Sequence, residues 1–136
     1  MTKIIKFRTK DKNNYEFEYK HFINSNLIKI VYDNDNELED IIELSNIRGD
    51  ILEIVNYMLI RFFKLGNDID NFKHDEEIYN FLENLDYIIL FSLLSGVHYM
   101  DIPILENILC DKLSGIISSK SKDELEKMFN IKLKIK

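Results

Sequence analysis

The apolar residues of this chain change their spacing part-way along it, and that change constrains the fold more than any other feature. Ile5 and Phe7 alternate with Lys6 and Arg8, and Tyr15, Phe17 and Tyr19 alternate with Glu16 and Glu18. This is the two-residue period of half-buried strands. The run Lys10-Asp11-Lys12-Asn13-Asn14 between them reads as a turn, because Asn and Asp tolerate left-handed backbone and bond to nearby amides. A hairpin is therefore predicted, with a third short strand at Ile41-Ile42-Glu43-Leu44. From about Asp50 to Lys64 the spacing becomes helical, through Ile51, Leu52, Val55, Met58, Leu59 and Phe62. Strands first and helices afterwards is an α+β layout with a helical C-terminal half.

Boundary signals divide the helical part. A turn of helix is expected around His21 to Ile23. Ser25 is a candidate cap for a helix from Asn26 to about Tyr32, with Leu27, Ile28 and Val31 inward. Asp33 to Asp40 reads as an acidic, solvated loop. Gly66 and the polar segment through His74 close the helix that begins near Asp50. A short helix near Glu76 to Leu82 follows, and Asp86 caps a strongly apolar helix running through about His98. Asp101 and Pro103 mark the next start, since proline costs nothing in a first helical turn; that helix runs to about Ser118. Ser121-Lys122-Asp123-Glu124 is a capping box, and it opens a last helix with Leu125, Met128 and Phe129 on one face.

At 136 residues the chain has the length of a single domain with a core of its own. A hydrophobic fraction of 46% and a charged fraction of 31% fit a globular protein. A net charge of −6 argues against nucleic acid and against an anionic membrane surface. The apolar run from Tyr87 to Leu94 is too short to span a bilayer, and Met1 to Lys6 lacks a signal-peptide core. The cytosol, with passive access to the nucleus, is the expected location.

Chemistry-bearing patterns are absent. The four glycines form no phosphate-binding loop. His21, His74 and His98 are isolated, and no Cys or His pair has metal-ligand spacing. The single cysteine, Cys110, adjoins Leu109 and reads as a buried structural thiol. No enzyme, cofactor or metal is expected. What stands out is the apolar stripe of the late helices: Ile104, Leu105, Ile108, Leu109, Leu113, Ile116 and Ile117, with Leu125, Met128 and Phe129 beyond. Such a stripe can close a core against the Tyr87–His98 helix, or it can leave part of its surface for a partner helix.

Two ungapped stretches of wording resemble a known family. Tyr99, Asp101, Ile102, Leu105, Cys110, Ile117, Lys120, Glu124 and Phe129-Asn130-Ile131 stand where Skp-type adaptors of Skp–cullin–F-box ubiquitin ligases have N-Y-L-D-I, a leucine, a cysteine, an apolar pair, K-T-P-E-E-I-R and F-N-I. Nearer the N-terminus, Ile5-Lys6, Asp11, Tyr15-Glu16, Ile28-Lys29, Leu44-Ser45-Asn46-Ile47 and Ile51-Leu52 follow the same family. The likeness is weakest from Gly66 to Leu85.

The resemblance implies a BTB/POZ fold over residues 1–100, a helical segment over 101–136, and a non-enzymatic bridging role. It implies an F-box protein held by Phe91, Leu94, Ile104, Leu105, Ile108, Leu109, Leu113, Ile116, Ile117, Leu125, Met128 and Phe129, and a cullin held at His98 and Tyr99. His98 replaces the family's Asn. Lys122 stands at its Pro, which removes a hydroxylation site. The chain ends at Lys136, before the family's acidic, Trp-containing segment, so a narrower clasp is expected. The alternatives are an elongin-C-like adaptor, disfavoured by the two extra helices, and a self-associating BTB domain that forms a weak homodimer when unpartnered.

Overall fold

The computed structural model describes residues 3–34 and 41–121, together with 123, 124 and 127. Strand β1 (Ile4–Thr9) pairs antiparallel with β2 (Asn14–Glu18), placing Ile5 opposite Phe17 and Phe7 opposite Tyr15. On its other side β1 pairs in parallel with β3 (Ile42–Leu44), giving the order β2-β1-β3. The parallel pair requires a crossover rather than a hairpin, and the chain between β2 and β3 carries α1 (Asn26–Asn34). Ile5, Phe7 and Leu44 turn inward, and Phe22 closes over Phe7 and Phe17 with ring centroids 5.3 and 5.8 Å away.

The hairpin turn departs from the expected chemistry. Lys12, not Asn or Asp, takes the left-handed backbone at φ 64°. Asp11 secures the turn instead: its carboxylate accepts from the Thr9 hydroxyl at 2.5 Å, from the Asn13 amide at 3.1 Å and from the Gly49 N–H at 3.0 Å. The Thr9 hydroxyl bond, foremost, holds the Asp11 carboxyl below the usual carboxylate range. Gly49 is required where the hairpin meets the next helix, because a Cβ there would lie 2.2 Å from the Tyr15 hydroxyl oxygen. The helical turn after β2 falls at Tyr19–His21, two residues earlier than expected.

Five further helices follow among the described residues: α2 (Gly49–Lys64), α3 (Ile69–Lys73), α4 (Glu76–Glu83), α5 (Tyr87–Met100) and α6 (Pro103–Ser118). Helix α3 falls in the segment expected to be polar and non-helical. Asp68 caps it by accepting the Asn71 N–H, and Phe72 is buried edge-on against Phe62 at 5.2 Å. Gly66, at φ 78°, ends α2 where expected. Arg61 on α2 clasps Asp75, the cap of α4, through two hydrogen bonds of 2.9 and 2.8 Å. That clasp is the leading reason the Asp75 carboxyl sits below its ordinary value. Of the expected acidic loop, Asp33 and Asn34 instead end α1, and residues 35–40 lie outside the described residues. One buried apolar cluster joins the sheet, α2, α5 and the first three turns of α6.

Candidate partner-binding surface

Helices α5 and α6 form the hairpin on which the expected binding residues lie. Asp86 starts α5 by accepting the Ile88 N–H at 2.7 Å. At the other end Asp101 takes a left-handed conformation, φ 54°, as the C-terminal cap of α5, rather than capping α6. Pro103 opens α6 as expected, although Ile102 before it offers no capping side chain.

The corner between the two helices is bolted to the start of α1. The buried Ser25 hydroxyl donates to the Met100 carbonyl at 2.6 Å and accepts the Ile28 N–H at 3.2 Å. Asn26 adds a backbone bond to the Asp101 carbonyl at 2.9 Å and a side-chain bond to its carboxylate at 3.1 Å. These partners are 75 residues apart in sequence. Each buried hydrogen bond is worth about 1 kcal/mol net, so the corner is held well enough to present its side chains in fixed positions.

Two of those side chains are His98 and Tyr99, both exposed on the last turn of α5. His98 Nδ1 lies 2.8 Å from Glu106 Oε1 across the corner, with the imidazole side chain 77% exposed. A pair this exposed contributes little stability, but it orients the ring. Tyr99, 40% exposed, stands beside it.

The residues expected to hold an F-box fall into layers. Ile104, Leu105, Leu109 and Leu113 are buried in the protein's own core, with Leu90, Leu93, Val97 and Met100 of α5. Leu94, Ile108 and Ile116 are half-buried against that core. Ile108, Lys112 and Ile116 share one flank of α6 by their four-residue spacing. Lys112 turns that flank toward α4, where it pairs with Glu83 and lies 5.4 Å from the centre of the Tyr79 ring. Phe91, 36% exposed, and Ile117, 39% exposed, are the expected residues on the outside. Leu125, Met128 and Phe129 lie outside the described residues.

Cys110 does not fill the buried role expected of it; it is exposed. The buried face of α6 follows 105, 109 and 113, and a residue one position past 109 is rotated about 100° away from it. Ile88, 59% exposed one turn before Phe91, was missed because its helix reads as apolar on every side. Beyond α6 the expected capping box is formed: Glu124 N–H donates to Ser121 Oγ at 3.2 Å, and Ser121 N–H to Glu124 Oε1 at 3.3 Å. The bond from the Ser121 amide, foremost, draws the Glu124 carboxyl down. No helix among the described residues is long and apolar enough to cross a membrane, and none of their His, Cys, Asp and Glu side chains gather as a metal site.

Comparison with known proteins bears on these layers. The Skp1 family, tetramerisation domain, matches residues 3–58, the segment that forms the sheet, α1 and most of α2. Two relatives from Dictyostelium discoideum, the SCF ubiquitin ligase complex proteins SKP1a and SKP1b, are each 26% identical over 136 residues, covering 95% of this chain and 84% of the relative. The family match in the first half and the likeness along almost the whole chain make this chain similar to Skp1-type proteins, and its small mixed sheet with six helices among the described residues is an α+β, BTB/POZ-like fold.

Proposed function

We propose that this chain is a non-enzymatic component of an SCF-type ubiquitin ligase complex, linking an F-box substrate receptor to a cullin for ubiquitin-dependent degradation. The names of the two relatives support the complex. One structural observation carries the division of labour. The α5–α6 hairpin is seated in the core by one face, while Ile88, Phe91 and Ile117 remain on the outside. Burying a large apolar side chain is worth about 1.5–3 kcal/mol, so a few of them suffice for the centre of a protein interface.

In this reading an F-box helix meets Phe91, Leu94 and Ile117 first. Ile104, Leu105, Leu109 and Leu113 support them from beneath, and Ile108 and Ile116 flank them. The cullin meets the corner at His98 and Tyr99, with the tyrosine ring as the anchor. The test is affinity capture with the tagged full chain, read by mass spectrometry. F-box and cullin proteins should be recovered together, and Tyr99→Ala should remove the cullin while retaining the F-box protein. Recovery of neither class would end the adaptor reading, and unchanged cullin recovery would take Tyr99 out of that site. A concentration-dependent homodimer in sedimentation, with no such partners captured, would favour a self-associating domain.

A further inference from the structure

A pocket of about 190 Å³ lies between the start of α2 and the outward side of α5. Its polar lining consists of Lys10, Asn46, Arg48, Ser92 and Ser95 over an apolar floor that includes Ile51. The Lys10 N–H donates to the Ile47 carbonyl at 2.8 Å, which fixes the hairpin turn against the segment before α2 and brings the two cations to one rim. No carboxylate among the described residues lines the pocket. Among the described residues, the Lys10 ammonium, the Asn46 carboxamide and the Ser92 and Ser95 hydroxyls have no hydrogen-bond or ion-pair partner. Arg48 gives one nitrogen to Asp50 at 3.1 Å and keeps the rest of its fork. The helix end adds little, since the Gly49 N–H is already given to Asp11 and the Ile51 N–H to Asp50.

In a chain of net charge −6, a pocket lined by two cations and three neutral donor side chains and by no acid calls for an anion with several acceptor oxygens. A carboxylate offers two oxygens; a phosphoryl group offers three and carries about −1.5 to −2 charge at pH 7. Arg meets such a group as a fork and Lys as a point charge. We propose that this pocket binds a phosphoryl group, supplied as free phosphate or on a phosphorylated side chain.

The test is a ¹H–¹⁵N titration of the full chain with inorganic phosphate and with a capped phosphoserine, against sodium chloride at equal ionic strength. Saturable shifts are expected at the Lys10, Arg48, Ser92 and Ser95 amides. The Lys10→Gln, Arg48→Gln double variant should weaken binding about tenfold or more with the rest of the spectrum unchanged. Ser92→Ala should weaken it less, and Asp50→Asn, by freeing Arg48, should tighten it. Tighter binding of phosphoserine than of phosphate assigns the pocket to a modified side chain, and equal or weaker binding assigns it to the free anion. Shifts that grow without saturating, that chloride reproduces, or that survive the double variant would overturn the proposal.

Discussion

Helices α2 and α6 are the same length, 16 residues each, and both are rich in large apolar side chains, yet the fold uses them differently. Along α2 burial runs from Gly49 to Phe62, nearly its full length. Along α6 it runs from Ile104 to Leu113 and stops, leaving Ile116 half-covered and Ile117 outside. Helix α5, the Tyr19–His21 turn and α3 pack against α2, whereas the described structure covers α6 fully on one face only. The apolar stripe of α6 therefore serves two purposes in succession, core first and surface afterwards. Its last turn is where the protein's own stability ceases to explain the sequence.

The largest expected effects test whether the first part of α6 belongs to the same core as α2. Leu109→Ala and Leu59→Ala each remove a fully covered side chain and should each cost about 2–5 kcal/mol. Denaturant unfolding that found Leu109→Ala nearly neutral would detach α6 from the core. Next comes the clasp between α2 and α4. Arg61→Met leaves the Asp75 carboxylate, 9% exposed, without its guanidinium, and should lower stability by about 1.5–3 kcal/mol. Because the Asp75 value is held down in the folded state, this stabilisation is full above the ordinary carboxylate range. It fades as pH falls through the lowered value, so the gap between variant and parent should close in acid.

A smaller, pH-dependent effect sharpens the same comparison on the α2 side. His21 is buried edge-on against Phe63 of α2, with ring centroids 5.0 Å apart. Burial, its leading influence, holds it below the ordinary value of 6.5, against an opposing pull from Glu18. The folded state thus prefers the neutral ring, while the unfolded chain takes up a proton near 6.5. Stability should be complete above that pH and decline as pH falls from it toward the lowered value. His21→Gln should flatten this limb of a melting-temperature profile. An unchanged slope would place its origin elsewhere. Smallest of all in stability should be Ile117→Asp, expected within about 0.5 kcal/mol of the parent because the side chain, 39% exposed, lies outside the buried core. Ile108→Asp, half-buried toward α4, should cost more than that.

Much of this architecture was legible in the residues, and the misses share a physical cause. Period-two alternation disclosed β1 and β2, and local capping chemistry disclosed Ser25, Asp86, Pro103 and the Ser121–Glu124 box, because each signal lies within a few residues. The parallel partner of β3, the bolt from Ser25 and Asn26 to Met100 and Asp101, and the clasp between Arg61 and Asp75 depend on partners distant in sequence. Helix α3 is five residues long, too short for a period to show. Along α6 the periodicity marked an apolar stripe but could not say which residues the core would claim. That is why Leu105, Leu109 and Leu113 share one stripe with Ile117 in the sequence, and why Cys110 reads as buried there although it is exposed.

On the proposed function, the exposed end of the α5–α6 hairpin binds a partner while adding little to the stability of the fold. Isothermal titration of a purified F-box domain into the parent chain and into Ile117→Asp, each with its melting temperature measured, tests it most directly. Ile117→Asp should lose at least about tenfold in affinity with an unchanged melting temperature. Equal affinity in the two proteins, or a loss that appears only with a lowered melting temperature, would contradict it.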